Sequence, residues 1–263
     1  MLLVLKSTDE DLGREAAKIV ANAVRRNPAL RLGLATGSTT LGMYNELGRL
    51  HTQDALDFSR VVTFNLDEYL GLPPKHTQSF HHFMHRNFFS HVNIDPANIH
   101  IPDGAIAGNY DQYCCSYEQS IRDAGGIDLQ ILGIGRNGHI GFNEPTSSLG
   151  SRTRLKVLSK DTIDDNRKFF GPGEKIPECA ITMGIGTILE AKRILLLASG
   201  SSKAAAIANA IEGPLTASVT ASALQLHPDV TFIVDQEAGS QLKQKDYYRR
   251  VLEMTVALTP DRL

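Results

Sequence analysis

The sequence predicts a doubly wound, Rossmann-like α/β domain: a mostly parallel sheet with helices on both faces. Short, largely apolar runs alternate along the chain with amphipathic helical patterns. Strands of that kind are buried on both faces, and strand–helix alternation builds a parallel sheet. Four of the runs are followed by polar loops, at the strand ends where such sheets bind ligands. The 263 residues are 42% hydrophobic and 21% charged, enough for a core without disulfide staples. No Pro/Ser/Gly-rich linker or internal repeat divides the chain, so 1–263 reads as a single domain.

Leu2–Leu5 is too short for the apolar region of a signal peptide and reads as the first strand. Asp9–Arg26 places Leu12, Ala16, Ile19, Val20 and Ala23 on one helical face. Arg31–Ala35 is a strand, Thr36–Thr40 a polar turn, and the next helix runs from about Leu41 to Leu50. Arg60–Leu66 is β-rich; Ser79–Val92 and Asn109–Ala124 read as helices. Leu129–Ile134 is a buried strand that ends on Gly. Ile194–Ala198 is another strand, whose following Gly-Ser-Ser-Lys opens a helix through Ile211. Val230–Val234 is the last strand.

The net charge is −2, which argues against a nucleic-acid partner, since that needs a surplus of Lys and Arg. No window reaches the roughly 18 apolar residues of a membrane span, so no membrane partner is expected. Cys114, Cys115 and Cys179 are an odd count with two adjacent, a poor disulfide or zinc pattern. They read as packing residues of a cytoplasmic protein. His81 and His85 are spaced i, i+4, but no third ligand accompanies them, and no metal is expected.

Four loops carry the candidate chemistry. Thr36-Gly37-Ser38-Thr39-Thr40 is either a capped helix start or an anion cradle of hydroxyls and helix N-terminal amides. Gly200-Ser201-Ser202-Lys203 repeats that geometry and adds a cation suited to phosphate. Asp67-Glu68 ends a strand, where a carboxylate can serve as a base, a metal ligand or a partner of sugar hydroxyls. His139 has the intrinsic proton affinity for transfer near neutrality, and Asn137 and Glu144 are close enough in sequence to orient it. The set suggests a phosphorylated small molecule and general acid–base chemistry.

The segments LGLATGSTTLGMYNEL, VVTFNLDEYLGL, SFHHFMHRNFF, LGIGRNGHIGFNEPTSSLGSRTR and ALQLHPDVTFIVD together resemble the glucosamine-6-phosphate deaminases. FNLDEYLGL and GHIGFNEP are the specific ones, and the similarity runs from about Leu2 to at least Asp235. The resemblance implies conversion of glucosamine 6-phosphate and water to fructose 6-phosphate and ammonium, without metal or organic cofactor. It implies that Asp67 moves a proton between C2 and C1, and that His139 opens the pyranose ring, helped by Asn137 and Glu144. It assigns Thr36, Gly37, Ser38, Thr39, Thr40 and Lys203 to the substrate phosphate. A further phosphate-binding Arg of the family aligns with Lys168, beside Arg167. Some members are hexamers activated by N-acetylglucosamine 6-phosphate, and Ser147, Arg154 and Lys156 match that effector site. Asn137 stands where some members have Asp; it is expected to accept a hydrogen bond from the imidazole.

The polar stretch Thr146–Lys175 is expected to include a mobile lid, because segments with little buried surface open cheaply. The nearest rival is a 6-phosphogluconolactonase, which shares the fold and a similar phosphate loop; FNLDEYLGL and FNEP weigh against it. A sugar-phosphate sensor is the rival from another class. It needs the anion cradle but not Asp67, His139 and Glu144 together.

Overall fold

The computed structural model describes residues 1–259. In chain order they form β1 (Leu2–Lys6), α1 (Asp9–Arg26), β2 (Arg31–Leu34), α2 (Ser38–Asp54), β3 (Val62–Asn65), β4 (Asp67–Tyr69), α3 (Phe80–Asn87), β5 (Ile99–His100) and α4 (Tyr110–Asp123). There follow β6 (Leu129–Leu132), β7 (Arg154–Val157), α5 (Lys160–Asn166), β8 (Cys179–Thr182), α6 (Ile185–Leu189), β9 (Arg193–Ala198), α7 (Ala204–Glu212), β10 (Val230–Asp235) and α8 (Lys245–Leu258).

Seven strands form one sheet in the order β1-β10-β9-β6-β2-β3-β5, and every pairing in it is parallel. The strands β9, β6, β2 and β3 are neighbours, so the loops after them emerge side by side at one end. Those are the four polar loops of the sequence. A smaller antiparallel sheet, β4-β8-β7, stands beside them. In its register Asp67 and Arg154 both face Thr182, and Tyr69 and Lys156 both face Ala180.

The parallel sheet has a core on each face. Phe64, Leu132, Leu196, Phe232 and Ile207 belong to one, and Leu12, Leu34, Met43, Tyr44 and Ile233 to the other. Each such side chain contributes about 1.5–3 kcal/mol on burial. Gln130 is the polar exception inside β6: its Nε2 donates to the Ile131 carbonyl at 2.9 Å. It fits because Gly33 lies beside it on β2, where a Cβ would meet Gln130 Oε1 at 2.0 Å.

Helix starts follow local chemistry. Thr8 accepts from Asp11 N at 3.1 Å, and Asp9, Glu10 and Asp11 complement the dipole of α1. Ser79 likewise caps α3, which ends at Asn87 and gives way to a short 3₁₀ turn at Phe89–His91. The continuous helix expected over Ser79–Val92 is therefore interrupted. The second helix begins at Ser38, earlier than the sequence suggested, so the polar turn Thr36–Thr40 runs into its first turn. Within 146–175 the structure places β7 and α5. Of the three cysteines read as packing residues, Cys115 is exposed on α4; Cys114 is buried and Cys179 half-buried.

Candidate active site

Asp67 opens β4 directly after the β3 strand, and its residue is 6% exposed. Burial pushes its carboxyl up to about 8, and the neighbouring Glu68 charge adds to the shift. The acidic pair divides its labour. Glu68 accepts main-chain N–H groups from Tyr69 (2.8 Å), Phe80 (2.9 Å) and His81 (2.9 Å). It thus ties β4 to the first turn of α3.

The loop after β6 carries His139 past Gly141, whose Cβ position lies 3.4 Å from Asp67 Oδ2, to Glu144. His139 Nδ1 is 3.7 Å from Glu144 Oε2 and is buried without a hydrogen-bond partner. Burial lowers the imidazole's proton affinity, Glu144 raises it, and Lys203 lowers it. Glu144 also accepts Ser159 N at 3.2 Å, at the residue that caps α5. Gly135 has a steric role that the sequence left unread: a Cβ there would lie 2.3–2.5 Å from three atoms of the His139 ring.

Asn137 differs from expectation. Its Oδ1 accepts the main-chain N–H of His139 at 3.2 Å, and its Nδ2 donates to Glu144 Oε2 at 3.4 Å. The imidazole is not its partner, because the tight turn brings the His139 amide round to it first.

Lys203 follows β9, half-buried. Burial lowers its proton affinity, Asp165 raises it, and Arg136 and Lys168 lower it further. Lys203 and Lys168 are thus close enough to influence each other, and Arg167 instead pairs with Asp164 at 3.5 Å. Lys168 Nζ rests 5.0 Å from the centre of the Phe169 ring.

A family model described as glucosamine-6-phosphate isomerases/6-phosphogluconolactonase matches residues 6–232. The chain belongs to this family. It is 51% identical over 246 residues to a glucosamine-6-phosphate deaminase of Thermoanaerobacter pseudethanolicus, covering 94% of this chain and 97% of that one. A glucosamine-6-phosphate deaminase of Hahella chejuensis is 49% identical over 256 residues, covering 97% of each chain. A solved structure described as a monomeric glucosamine-6-phosphate deaminase superposes with a TM-score of 0.89 at 44% identity, over 92% of this chain and 100% of that one. The 6-phosphogluconolactonase from Trypanosoma brucei, at 19% identity and a TM-score of 0.71 over 92% of this chain and 98% of that one, shares the fold.

Within this isomerase/lactonase chain the two anion cradles are unequal. At the first, Gly37 and Ser38 are exposed, Thr36 and Thr39 half-exposed, and α2 starts without a side-chain cap. Thr40 is the exception: its hydroxyl donates to the Gly37 carbonyl at 2.9 Å and is buried. At the second, Asp235 accepts from Gly200 N (2.9 Å) and Ser199 Oγ (2.6 Å), and Glu237 accepts from Ser201 N (3.1 Å). The chain's own carboxylates thus take the Gly200 and Ser201 amides of that cradle, while the Lys203 side chain is not among their partners.

The residues matched to an effector site lie on and near β7. Arg154 and Lys156 share one face of that strand, and Ser147 Oγ is buried without a partner. Arg154 Nη1 donates to Asn143 Oδ1 at 2.9 Å. Asn143 in turn donates to the Ile140 (2.9 Å) and Met183 (2.8 Å) carbonyls, so it pins the loop after β6 to the end of β8. Asn143 sat unread within FNEP; a buried amide with every bond internal leaves no signature in sequence.

Proposed function

We propose that this chain deaminates glucosamine 6-phosphate, consuming water and giving fructose 6-phosphate and ammonium. The observation that carries this reading is Asp67, a buried carboxyl with raised proton affinity, sharing a loop-lined site with His139–Glu144. The neutral imidazole of His139 takes the proton of the anomeric hydroxyl, the C1–O5 bond breaks to give the aldehyde, and the imidazolium, steadied by Glu144, passes that proton to O5. Ionised Asp67 takes the C2 proton, the electron pair forms the C1–C2 double bond, and the C1 oxygen takes a proton from the substrate's C2 ammonium, giving an enolamine. Protonated Asp67 returns that proton to C1, leaving an iminium at C2. Water adds there, ammonia departs and the ketose remains. A group that alternates between base and acid works best with a proton affinity near the working pH, which burial supplies for Asp67. Lys203, Lys168, Thr36, Ser38, Thr39 and the main chain at Gly37 hold the phosphate. A lid within residues 146–175 closes over it. No cofactor enters this scheme, and a sugar phosphate is its only required partner.

Ammonium release coupled to fructose 6-phosphate formation tests the reading; acid production from 6-phosphogluconolactone instead would favour the rival. A second reading concerns regulation. The unpartnered Ser147 hydroxyl and the Arg154–Lys156 face support a response to N-acetylglucosamine 6-phosphate in a hexamer. Sedimentation and rate measurements with and without that compound test it. We place the enzyme in the cytoplasm, on its free cysteines.

A further inference from the structure

Arg136 and Asp165 join two parts of the molecule that carry different jobs. Arg136 Nε donates to Asp165 Oδ2 at 2.9 Å and Nη2 donates to Oδ1, a bidentate pair. Arg136 lies in the catalytic loop between Gly135 and Asn137. Asp165 lies in the last turn of α5, and the 3₁₀ turn that follows carries Lys168. The same segment is held elsewhere as well. Ile163 and Phe170 pack on the small core of Tyr69, Leu72 and Phe142, and Glu174 Oε1 meets His76 Nε2 at 2.7 Å. Glu144 accepts Ser159 N at the start of α5, and the Arg136–Asp165 pair adds a tie from the same loop to the helix's last turn; both side chains of the pair are about half exposed.

We propose that the Arg136–Asp165 pair clasps α5 to the catalytic loop and thereby sets Lys168 opposite Lys203 for the substrate phosphate. Both members are positioning residues. The inference rests on the reading that the substrate is a sugar phosphate. Lys203 responds to Asp165, Arg136 and Lys168 together, which places all four groups in one electrostatic neighbourhood.

Asp165→Asn separates the clasp from simple charge. By charge alone, removing a carboxylate near Lys203 tightens binding of an anion. Loss of the clasp does the reverse. Exposed ion pairs are weak, so KM for glucosamine 6-phosphate should rise about threefold to fivefold, with a smaller change in kcat. Amide exchange across residues 160–170 should quicken in the same variant. The double exchange Arg136→Asp with Asp165→Arg keeps the total charge and should bring KM back to within about twofold of the parent. A KM that stays level or falls in Asp165→Asn overturns the proposal, as does a double exchange no better than either single change. If the parent releases no ammonium from glucosamine 6-phosphate, the activity reading fails instead. The clasp is then judged by inorganic phosphate binding to the parent and to Asp165→Asn, with the same signs.

Discussion

Asn137 grips the main chain of His139 and not its ring: Oδ1 accepts the His139 amide at 3.2 Å while Nδ2 reaches Glu144 at 3.4 Å. Asn137→Asp keeps the first bond and sets a second carboxylate against Glu144. The added negative charge near the imidazole raises its proton affinity from its present lowered state. Neighbouring charges move such groups by about 1–3 units. Since ring opening needs neutral His139, the acidic limb of kcat/KM against pH should move upward. Superimposable limbs would show that the limb is set by another group, such as Asp67, whose ionised form the proposed mechanism also requires.

Asp67→Asn should reduce ammonium release by at least about 10²–10⁴-fold, the usual cost of losing a general base. A near-normal turnover number would remove Asp67 from the mechanism. The same substitution should stabilise the fold. The folded chain holds this proton up to about 8, against about 4 in the unfolded chain, so the stability contribution is present at low pH and lost as pH rises through about 8. An amide bears no such cost. Thermal melting at pH 8 should rise by roughly 5 °C or more, with the gain shrinking toward pH 5.

Glu68→Gln should move the acidic limb set by the same carboxyl. Glu68 is the second cause of the raised Asp67 value, after burial. Without that charge Asp67 ionises at lower pH, so the rise of kcat/KM with pH should begin earlier. An unchanged profile would assign the Asp67 shift to burial alone.

Gly135→Ala should cost turnover while leaving the fold intact. The added methyl would lie 2.3–2.5 Å from the His139 ring, which must then turn away. Displacement of a catalytic group by about 1 Å can cost 10²-fold. Unchanged kcat with unchanged melting would mean that the ring position is not critical.

Lys203→Ala should raise KM and spare kcat. The phosphate charge it is proposed to meet is the same in substrate and transition state, and such uniform binding does not speed the chemical step. A fall in kcat at constant KM would give Lys203 a different task.

The parallel sheet was legible because its strands announce themselves: Ile194–Ala198 and Val230–Val234 have no polar residue on either face except Thr231. The small sheet was not. β4 has three residues, β7 reads Arg-Leu-Lys-Val, and their common partner β8 lies far away in sequence, so no local period marks them. Asp67, His139 and Glu144 stood out because Gly and apolar neighbours isolate them. The partner of Asn137 and the filling of the Gly200 cradle by Asp235 did not, since each depends on which of several nearby groups arrives first in space.

The pairing of β1 with β10 dictates an order of assembly. Leu2 is set against Thr231, and β10 also closes on β9. At a synthesis rate of about 5–20 residues per second, the first strand waits roughly 10–45 s for the one ladder it joins among the described residues. During that interval α1 can form, yet its apolar face lacks Ile233, Leu195 and Leu197, the sheet residues it will cover. Nascent chains shorter than β10 therefore expose an unpaired strand and an uncovered helix face, the two features that chaperones bind and that drive aggregation.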